Sequence, residues 1–124
     1  MKSKKHTEKR SAEISKQYLG FLDRHVEEVI TGHVQDFMEL NQIAKELAVS
    51  HQHLTAMVQK ELGNHPCHFY DEKIIAQAKL LLTKSDMSIA GVALTLTYDA
   101  SNFSKFFKKW TGETPGAFRK KSRR

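Results

Sequence analysis

Apolar residues recur at intervals of four near the start of the chain, and this interval predicts a long amphipathic helix from about Ser11 to Thr31. Gly32 is well placed to end this helix, since glycine readily adopts the left-handed conformation that follows many helices. No later stretch alternates apolar and polar residues over a useful length, as a half-buried strand would. The pattern therefore predicts an all-α protein. The side chains at the four-residue interval are Ile14, Tyr18, Leu22, Val26 and Ile30.

Two stretches about fifty residues apart repeat one design, in which a short amphipathic helix, a tight break and a second helix follow one another. The first stretch runs from Leu40 to Leu62 and the second from Ile89 to Trp110. A small polar residue opens each second helix: Ser50 in the first stretch, and Ser101, or Ala100 just before it, in the other. This arrangement is typical of a helix-turn-helix unit, whose second helix can enter the major groove of DNA.

The segment between the two units predicts a long central helix from about Pro66 to Thr83, because Gly63 ends the preceding helix and proline suits a first helical turn. A short last helix follows Thr114-Pro115. The sequence thus predicts about seven helices, arranged as two helix-turn-helix subdomains joined by the central helix. We predict a mobile basic arm at 1–10, the first subdomain at 11–65, the linker helix at 66–83, the second subdomain at 84–121 and a basic tail at 122–124.

Composition limits the classes of protein to which the chain can belong. Its 124 residues, 40% of them apolar, suffice for one compact core or for two small cores that share a helix. No apolar run approaches the ~20 residues that span a bilayer, and the basic start is not followed by the apolar core of a secretory signal. The one cysteine, Cys67, excludes an internal disulfide and suits a reducing compartment. We therefore expect a cytoplasmic protein without a membrane partner.

Charge is distributed unevenly along the chain, and this distribution says more than the formal net charge of +6. Residues 1–10 carry a net charge of +4, residues 11–72 carry −6 and residues 73–124 carry +8. The positive charge gathers at the two ends, and most of it falls in the second helical unit, as expected of a surface that meets a polyanion such as DNA. The alternative is that lysine-rich ends only keep the protein in solution.

Three motifs resemble the DNA-binding domain of AraC/XylS-type transcription regulators. They are IAKELAVSxxxL, followed by a glycine and a proline, then KLLLTKSDMSIAGVA, and then YDASNFSKFFKKWTGETPGAFR. The last motif is the most specific, because its pattern F-S-K-x-F-K-K-x-x-G-x-T-P-x-x-F-R is close to the signature of that family. The resemblance covers about Leu40 to Arg119, and the opening helix lies where the family places its first helix.

The resemblance implies seven helices in two helix-turn-helix subdomains bridged by a long central helix. It also implies that both recognition helices bind one face of double-stranded DNA, in successive major grooves. Many members carry a separate effector-binding domain, for which this chain has no room, so no small-molecule effector site is expected in it. The chain resembles the stand-alone members or a C-terminal fragment of a larger regulator, and the sequence leaves both possibilities open.

Three positions depart from the family pattern. Thr97 stands before the aromatic residue of the second turn, where the family usually has glycine. The segment from Tyr98 to the next phenylalanine is one residue shorter than usual, which can alter the angle of the second recognition helix. Ile74-Ile75 lie in the middle of the central helix, where the family often has Arg-Leu. An arginine contact is therefore absent, and Lys73 is the candidate substitute.

Side chains on the exposed face of each recognition helix are the candidates for reading bases. Gln52 can form two hydrogen bonds to adenine, and Thr55 can contact a base edge or a thymine methyl group. Asn102 suits adenine, and Lys105 suits guanine or a phosphate. The alternative interpretation is that each of them is an ordinary exposed side chain that contacts no base. The full set is His51, Gln52, Thr55 and Gln59 in the first unit, and Ser101, Asn102, Ser104 and Lys105 in the second.

Basic and hydroxyl side chains near these helices are candidates for phosphate contacts, which add affinity without sequence information. Each lysine could equally be a solvated surface charge. An aromatic cluster in the second unit could stack on bases, but its spacing favours the inward face of a helix. The phosphate candidates are Ser50, Lys60, Lys84, Lys108, Lys109 and Arg119, and the aromatic cluster is Phe103, Phe106, Phe107 and Trp110.

The remaining sequence offers little chemistry for catalysis or metal binding. Seven histidines invite a metal hypothesis, above all His65 and His68 beside Cys67, but no CxxC or HExxH spacing occurs. His65 is expected to cap the helix that starts at Pro66, and Cys67 is expected to be unreactive. There is no glycine-rich phosphate loop and no nucleophile motif. We therefore predict no enzyme, no cofactor and no metal site.

The sequence therefore predicts a sequence-specific transcription regulator that binds double-stranded DNA. A second hypothesis, motivated by Thr97 and the short second turn, is a protein-interaction module that contacts RNA polymerase or another partner and binds DNA only weakly. A third hypothesis, a metal-dependent enzyme, ranks last because it requires a bound metal.

Overall fold

The computed structural model describes the backbone of residues 2–123 and the side chains of residues 10–123. Over this range the chain forms seven helices and no strand, which confirms the predicted all-α fold. No helix in the described range is both long and apolar enough to cross a lipid bilayer. The helices are α1 (Lys2–Ile30), α2 (Leu40–Glu46), α3 (His51–Leu62), α4 (Pro66–Lys84), α5 (Ile89–Thr95), α6 (Ala100–Thr111) and α7 (Pro115–Ser122).

Helix α1 differs from its sequence prediction at the N-terminal end. The helix begins at Lys2 rather than near Ser11, so the backbone of residues 2–10 continues α1. The apolar interval behind the prediction starts at Ile14. The lysines and the glutamate that precede Ile14 have high helix propensity but are not apolar, so they extend the helix without extending the apolar pattern. The pattern therefore predicted a start that is too late. The side chains of residues 2–9 lie outside the described part.

The described chain forms two compact units. One comprises the chain up to His25 together with Phe37–Asp71, and the other comprises Val26–Asp36 together with the chain from Glu72 onward. Helices α1 and α4 each contribute residues to both units. The boundaries that we predicted from the sequence, with a separate linker helix at 66–83, stay a prediction.

The core of the first unit is built on the apolar stripe of α1. Tyr18 and Leu22 are fully buried, as are Ile43 of α2 and Leu54 of α3. The Tyr18 hydroxyl donates a hydrogen bond to the Pro66 backbone carbonyl at 2.8 Å, so this buried polar group has a partner. Burial raises the pKa of Tyr18 above its usual range, which keeps the hydroxyl protonated as a donor.

A buried histidine stabilises the loop between α1 and α2. His25 is 3% exposed, and its Nε2 atom accepts a hydrogen bond from the backbone N–H of Met38 at 2.9 Å. The rings of Phe37 and Tyr70 lie edge-on to the imidazole. The Tyr70 hydroxyl donates to the Met38 carbonyl at 2.9 Å. Both backbone groups of Met38 are therefore paired, which holds the chain at the entrance to α2.

The core of the second unit is largely aromatic. Phe103 and Phe107 of α6 are fully buried, as are Leu82 of α4 and Val92 of α5. Phe107 packs edge-on against Phe118 of α7, with ring centroids 5.4 Å apart. The innermost residues of the aromatic cluster are thus part of the core, as their spacing favours, and they do not face solvent.

The two helix-turn-helix units repeat each other position by position. Gly63 and Gly112 each follow the second helix of a unit and adopt a left-handed backbone, at φ values of +81° and +84°. These glycines are 49 residues apart, and so are Pro66 and Pro115 at the starts of the next helices. The 49-residue interval therefore pairs every position of α2 and α3 with one position of α5 and α6.

Candidate nucleic-acid interface

Helix α3 is the second helix of the first unit, the position at which the sequence predicts a recognition helix. The hydroxyl of Ser50 accepts a hydrogen bond from the His53 backbone N–H at 3.0 Å, so Ser50 caps the helix as predicted. Leu54 and Val58 are fully buried and hold one side of α3 against the core. The opposite side faces solvent, and Gly63 ends the helix in the left-handed conformation.

The exposed side of α3 brings together all four base-reading candidates of the first unit. They line one shallow depression of about 360 Å³ beside the start of α4. Amide, imidazole and hydroxyl groups, each able to donate and to accept hydrogen bonds, dominate this surface. Such groups match the donors and acceptors on base edges. The lining residues are His51, Gln52, Thr55, Ala56, Gln59 and His65.

Helix α6, the recognition helix of the second unit, begins at Ala100 because Asp99 is its cap. A carboxylate oxygen of Asp99 accepts a hydrogen bond from the Asn102 backbone N–H at 2.8 Å. Of the two residues predicted to open this helix, Ala100 is its first residue and Ser101 follows in the first turn, while the cap itself, Asp99, was not among the predictions. The 49-residue interval could have located the cap from the sequence, since it places Asp99 opposite Ser50.

The turns inside the two units have the same length and conformation. Ala48 and Thr97 both adopt the left-handed backbone, at φ values of +60° and +63°. The cap residues two positions later, Ser50 and Asp99, have φ values of −74° and −75° and a common ψ of 158°. The short second turn therefore copies the first turn of this chain, and Thr97 occupies a conformation that favours glycine.

The exposed side of α6 presents the candidates of the second unit. The 49-residue interval places the two serines of α6 opposite Gln52 and Thr55 of α3, so two of the four candidate positions match between the units. One candidate is also tied to the cap, because the Nδ2 atom of Asn102 donates a hydrogen bond to Asp99 at 2.6 Å. Three candidates, Ser101, Asn102 and Lys105, are exposed, and Ser104 is half-buried.

The basic candidates for phosphate contacts fall into two groups. Arg119 turns inward: its Nε atom donates a hydrogen bond to the Leu82 carbonyl at 2.9 Å, and its Nη2 atom is buried. A cation at the C-terminal end of α4 complements the partial negative charge of the helix carbonyls there. Arg119 thus has a structural partner that the sequence did not reveal, and its phosphate contact stays a prediction. The four lysines are exposed, at Lys60, Lys84, Lys108 and Lys109.

Residues at the start of α4 show helix capping. The Nδ1 atom of His65 accepts a hydrogen bond from the Cys67 backbone N–H at 3.0 Å, as expected of a cap. Partial desolvation, and then the negative charge of Asp71, raise the pKa of the Cys67 thiol, which keeps it protonated near neutral pH. Among the side chains that the structure describes, no three His, Cys, Asp or Glu residues lie close enough together to hold a metal ion.

Comparison with known proteins shows similarity over most of the chain. A family model described as a helix-turn-helix domain matches residues 43–121. The arabinose operon regulatory protein of Salmonella typhimurium is 33% identical over 92 residues, which are 73% of this chain and 33% of that protein. An uncharacterised transcriptional regulator of Bacillus subtilis, YtdP, is 29% identical over 118 residues, which are 94% of this chain and 15% of the relative. The chain thus spans a third or less of these relatives.

Solved structures share the fold. The C-terminal domain of AraT, a response regulator from Geobacillus stearothermophilus, aligns with a TM-score of 0.76 at 25% identity, covering 87% of this chain and 84% of that one. The DNA-binding domain of AdpA, solved in complex with a target DNA, aligns with a TM-score of 0.66 at 21% identity, covering 80% of this chain and 93% of that one. Both relatives are named as regulators, YtdP as a transcriptional regulator and the Salmonella protein as the regulator of the arabinose operon. The chain belongs to the family of AraC-type helix-turn-helix DNA-binding domains.

Proposed function

We propose that this chain is the DNA-binding part of a transcription regulator and that it recognises a specific sequence of double-stranded DNA through α3 and α6. The observation that carries the proposal is that each recognition helix buries one side and exposes a polar one. Leu54 and Val58 face the core in α3, and Phe103 and Phe107 do so in α6. The polar sides remain available to base edges. The DNA complex of the AdpA domain, which has the same fold, supports the proposal.

We further propose that the two recognition helices enter successive major grooves of one DNA molecule. Such binding protects two half-sites whose centres lie about 10 to 10.5 base pairs apart, one turn of B-form DNA. The matching turns at Ala48 and Thr97 support the use of both helices, because they start α3 and α6 in the same way. Protection of the DNA backbone from hydroxyl radicals would measure the spacing.

Exposed lysines supply the part of the affinity that does not depend on sequence. Lys108 and Lys109 lie in the last turn of α6, in the most basic third of the chain. Each phosphate contact makes the logarithm of the binding constant fall with the logarithm of salt concentration, with a slope of about −0.9 per contact. Replacing both lysines by alanine should therefore make the slope shallower by about 2 if both contact phosphates.

Selection of bound sites from a random duplex library tests sequence-specific recognition. We expect the wild-type protein to select a site with two parts. Replacing Gln52 and Thr55 by alanine should degrade one part only, and replacing Asn102 and Lys105 by alanine should degrade the other part only. Each double variant is the control for the other, and circular dichroism checks that both remain folded.

Two outcomes of the selection would count against the proposal. Equal recovery of all sequences by the wild-type protein would contradict specific recognition. Degradation of both parts of the site by one double variant would contradict the assignment of one half-site to each recognition helix.

The alternative function, a module that binds RNA polymerase or another protein, is favoured by one surface residue. Leu94 on α5 is 76% exposed, whereas the matching position on α2 is Lys45. A purified polymerase retained by the wild-type chain but not by a Leu94→Lys variant, together with no binding of any duplex at low salt, would support this function over DNA recognition.

A further inference from the structure

The contact between Asp99 and Asn102 distinguishes the second recognition helix from the first. Asp99 accepts two hydrogen bonds from Asn102, one from the backbone N–H at 2.8 Å and one from Nδ2 at 2.6 Å. At the matching positions of the first unit, the neutral hydroxyl of Ser50 caps α3 by accepting from the His53 backbone N–H. The carboxylate and the amide thus form a pair that the first unit does not possess.

The charge of Asp99 determines how the Asn102 amide is oriented. An ionised carboxylate only accepts hydrogen bonds, so the amide must direct Nδ2 toward Asp99 and leave Oδ1 on the other side. Without such a partner the amide could turn over at little cost, since its two ends are almost equal in size. Asn102 is exposed in the first turn of α6, the part of a recognition helix that meets base edges.

We propose that Asp99 is a positioning residue for base recognition, because it holds the Asn102 amide so that Oδ1 faces the major groove as an acceptor. This inference rests on the proposed function. An acceptor can pair with the exocyclic amines of adenine and cytosine, whereas guanine O6 and thymine O4 are themselves acceptors. The second recognition helix therefore favours adenine or cytosine opposite Asn102 and discriminates against guanine and thymine.

Two other roles of Asp99, helix capping and charge repulsion, predict no change in base preference when Asp99 is replaced by serine. Serine caps a helix about as well as aspartate does, so the cap does not require a carboxylate. A carboxylate near DNA repels phosphates and lowers the affinity for every sequence alike. A change in base preference at one position of the site therefore separates positioning from both effects.

The test is site selection with Asp99→Ser, made in the wild-type chain and in the Asn102→Ala variant. In the wild-type chain, Asp99→Ser should lower the preference for adenine or cytosine at one position by about 3- to 10-fold, the effect of one hydrogen bond. In the Asn102→Ala variant, that preference should already be lost, and Asp99→Ser should change no base preference further. Asp86→Asn is the control for charge, because it removes one negative charge from an exposed position of the same unit.

A uniform rise in affinity with unchanged base preference would overturn the inference, since Asp99 would then act only as a cap and a charge. An equal change of preference with and without Asn102 would also overturn it. NMR of the free protein separates this inference from the proposed function: we expect slow exchange of one Asn102 side-chain amide proton, lost in Asp99→Ser. Fast exchange in the wild-type chain refutes the positioning role, whereas unselective DNA binding with slow exchange refutes the proposed function.

Discussion

Replacing Thr97 by glycine is expected to stabilise the protein, because the threonine stands in a backbone conformation that L-amino acids rarely adopt. Its φ value is +63°, at the turn between α5 and α6. This conformation costs a residue with a Cβ atom roughly 1–2 kcal/mol, and β-branched side chains are among the least suited to it. Thr97 is exposed, so the substitution removes no packed side chain from the core.

The net effect is smaller than the relieved strain, because glycine also gives the unfolded chain more freedom. That freedom costs roughly 0.5–1 kcal/mol, which leaves a net stabilisation of about 0.5–1 kcal/mol. The Thr97 backbone N–H donates to the Leu94 carbonyl at 2.9 Å, and glycine retains this hydrogen bond. For a chain of this size the gain corresponds to a rise in melting temperature of about 2–4 °C.

Urea denaturation followed by circular dichroism measures this stabilisation, and two further variants isolate its cause. Thr97→Ala retains a Cβ atom and should give only a small part of the gain, so the difference between alanine and glycine reports the strain at φ +63°. Ala48→Gly makes the same alanine-to-glycine change in the matching turn and should show a similar difference. A Thr97→Gly variant less stable than the wild-type chain would refute the assignment of strain to this turn.

Three further experiments, two substitutions and one chemical modification, test the surroundings of single side chains. Tyr18→Phe should destabilise the protein by about 1–3 kcal/mol near neutral pH, because a buried carbonyl loses its donor. Folding raises the pKa of Tyr18, so the contribution of Tyr18 to stability is lost as pH rises above about 10, the pKa of tyrosine in an unfolded chain. Urea denaturation above that pH should therefore show a smaller loss of stability in the Tyr18→Phe variant than in the wild-type chain. Arg119→Ala should cost about 1–2 kcal/mol through the lost hydrogen bond to Leu82, whereas Lys120→Ala, an exposed neighbour, should stay within about 0.5 kcal/mol. Cys67 should react with iodoacetamide more slowly at neutral pH than a free thiol does, and an equal rate would contradict its raised pKa.

Local signals in the sequence were enough to predict most helix boundaries. Ser50, Gly63 and Pro66 lie where the predictions placed them, at the start of α3, the end of α3 and the start of α4. The reason is that helix caps and left-handed glycines act on backbone groups only a few positions away. Such boundaries therefore need no knowledge of tertiary contacts.

The cap of α6 shows where residue type is not sufficient. Ser101 and Asp99 both belong to the residue types that cap helices well, so the local sequence permits either. Packing decides between them: with Asp99 as the cap, Phe103 becomes the fourth helical residue and enters the core, as Leu54 does in α3. The choice depends on the register of the apolar face and on the repeat, not on the cap itself.

Contacts between residues distant in sequence could not be predicted at all. The sequence predicted that Arg119 contacts phosphate, because of its residue type and the basic residues around it. Its hydrogen-bond partner, the Leu82 carbonyl, lies 37 residues earlier in the chain. Only the packing of α7 beside α4 brings the two residues together, and no local pattern records that packing. The same holds for His25, whose partner Met38 is 13 residues away.

The proposed function makes a prediction about the DNA site, because the two units share one backbone conformation but differ in their surface residues. Gln52 on α3 corresponds to Ser101 on α6, and Ala56 corresponds to Lys105. An amide suits adenine, whereas lysine suits guanine, so two half-sites read by these helices should differ in sequence. A symmetric dimer with one helix-turn-helix per subunit reads a palindrome instead. Recovery of two identical half-sites in the selection would mean that two copies of the chain bind through the same unit, and would refute binding of one DNA molecule by both units of a single chain.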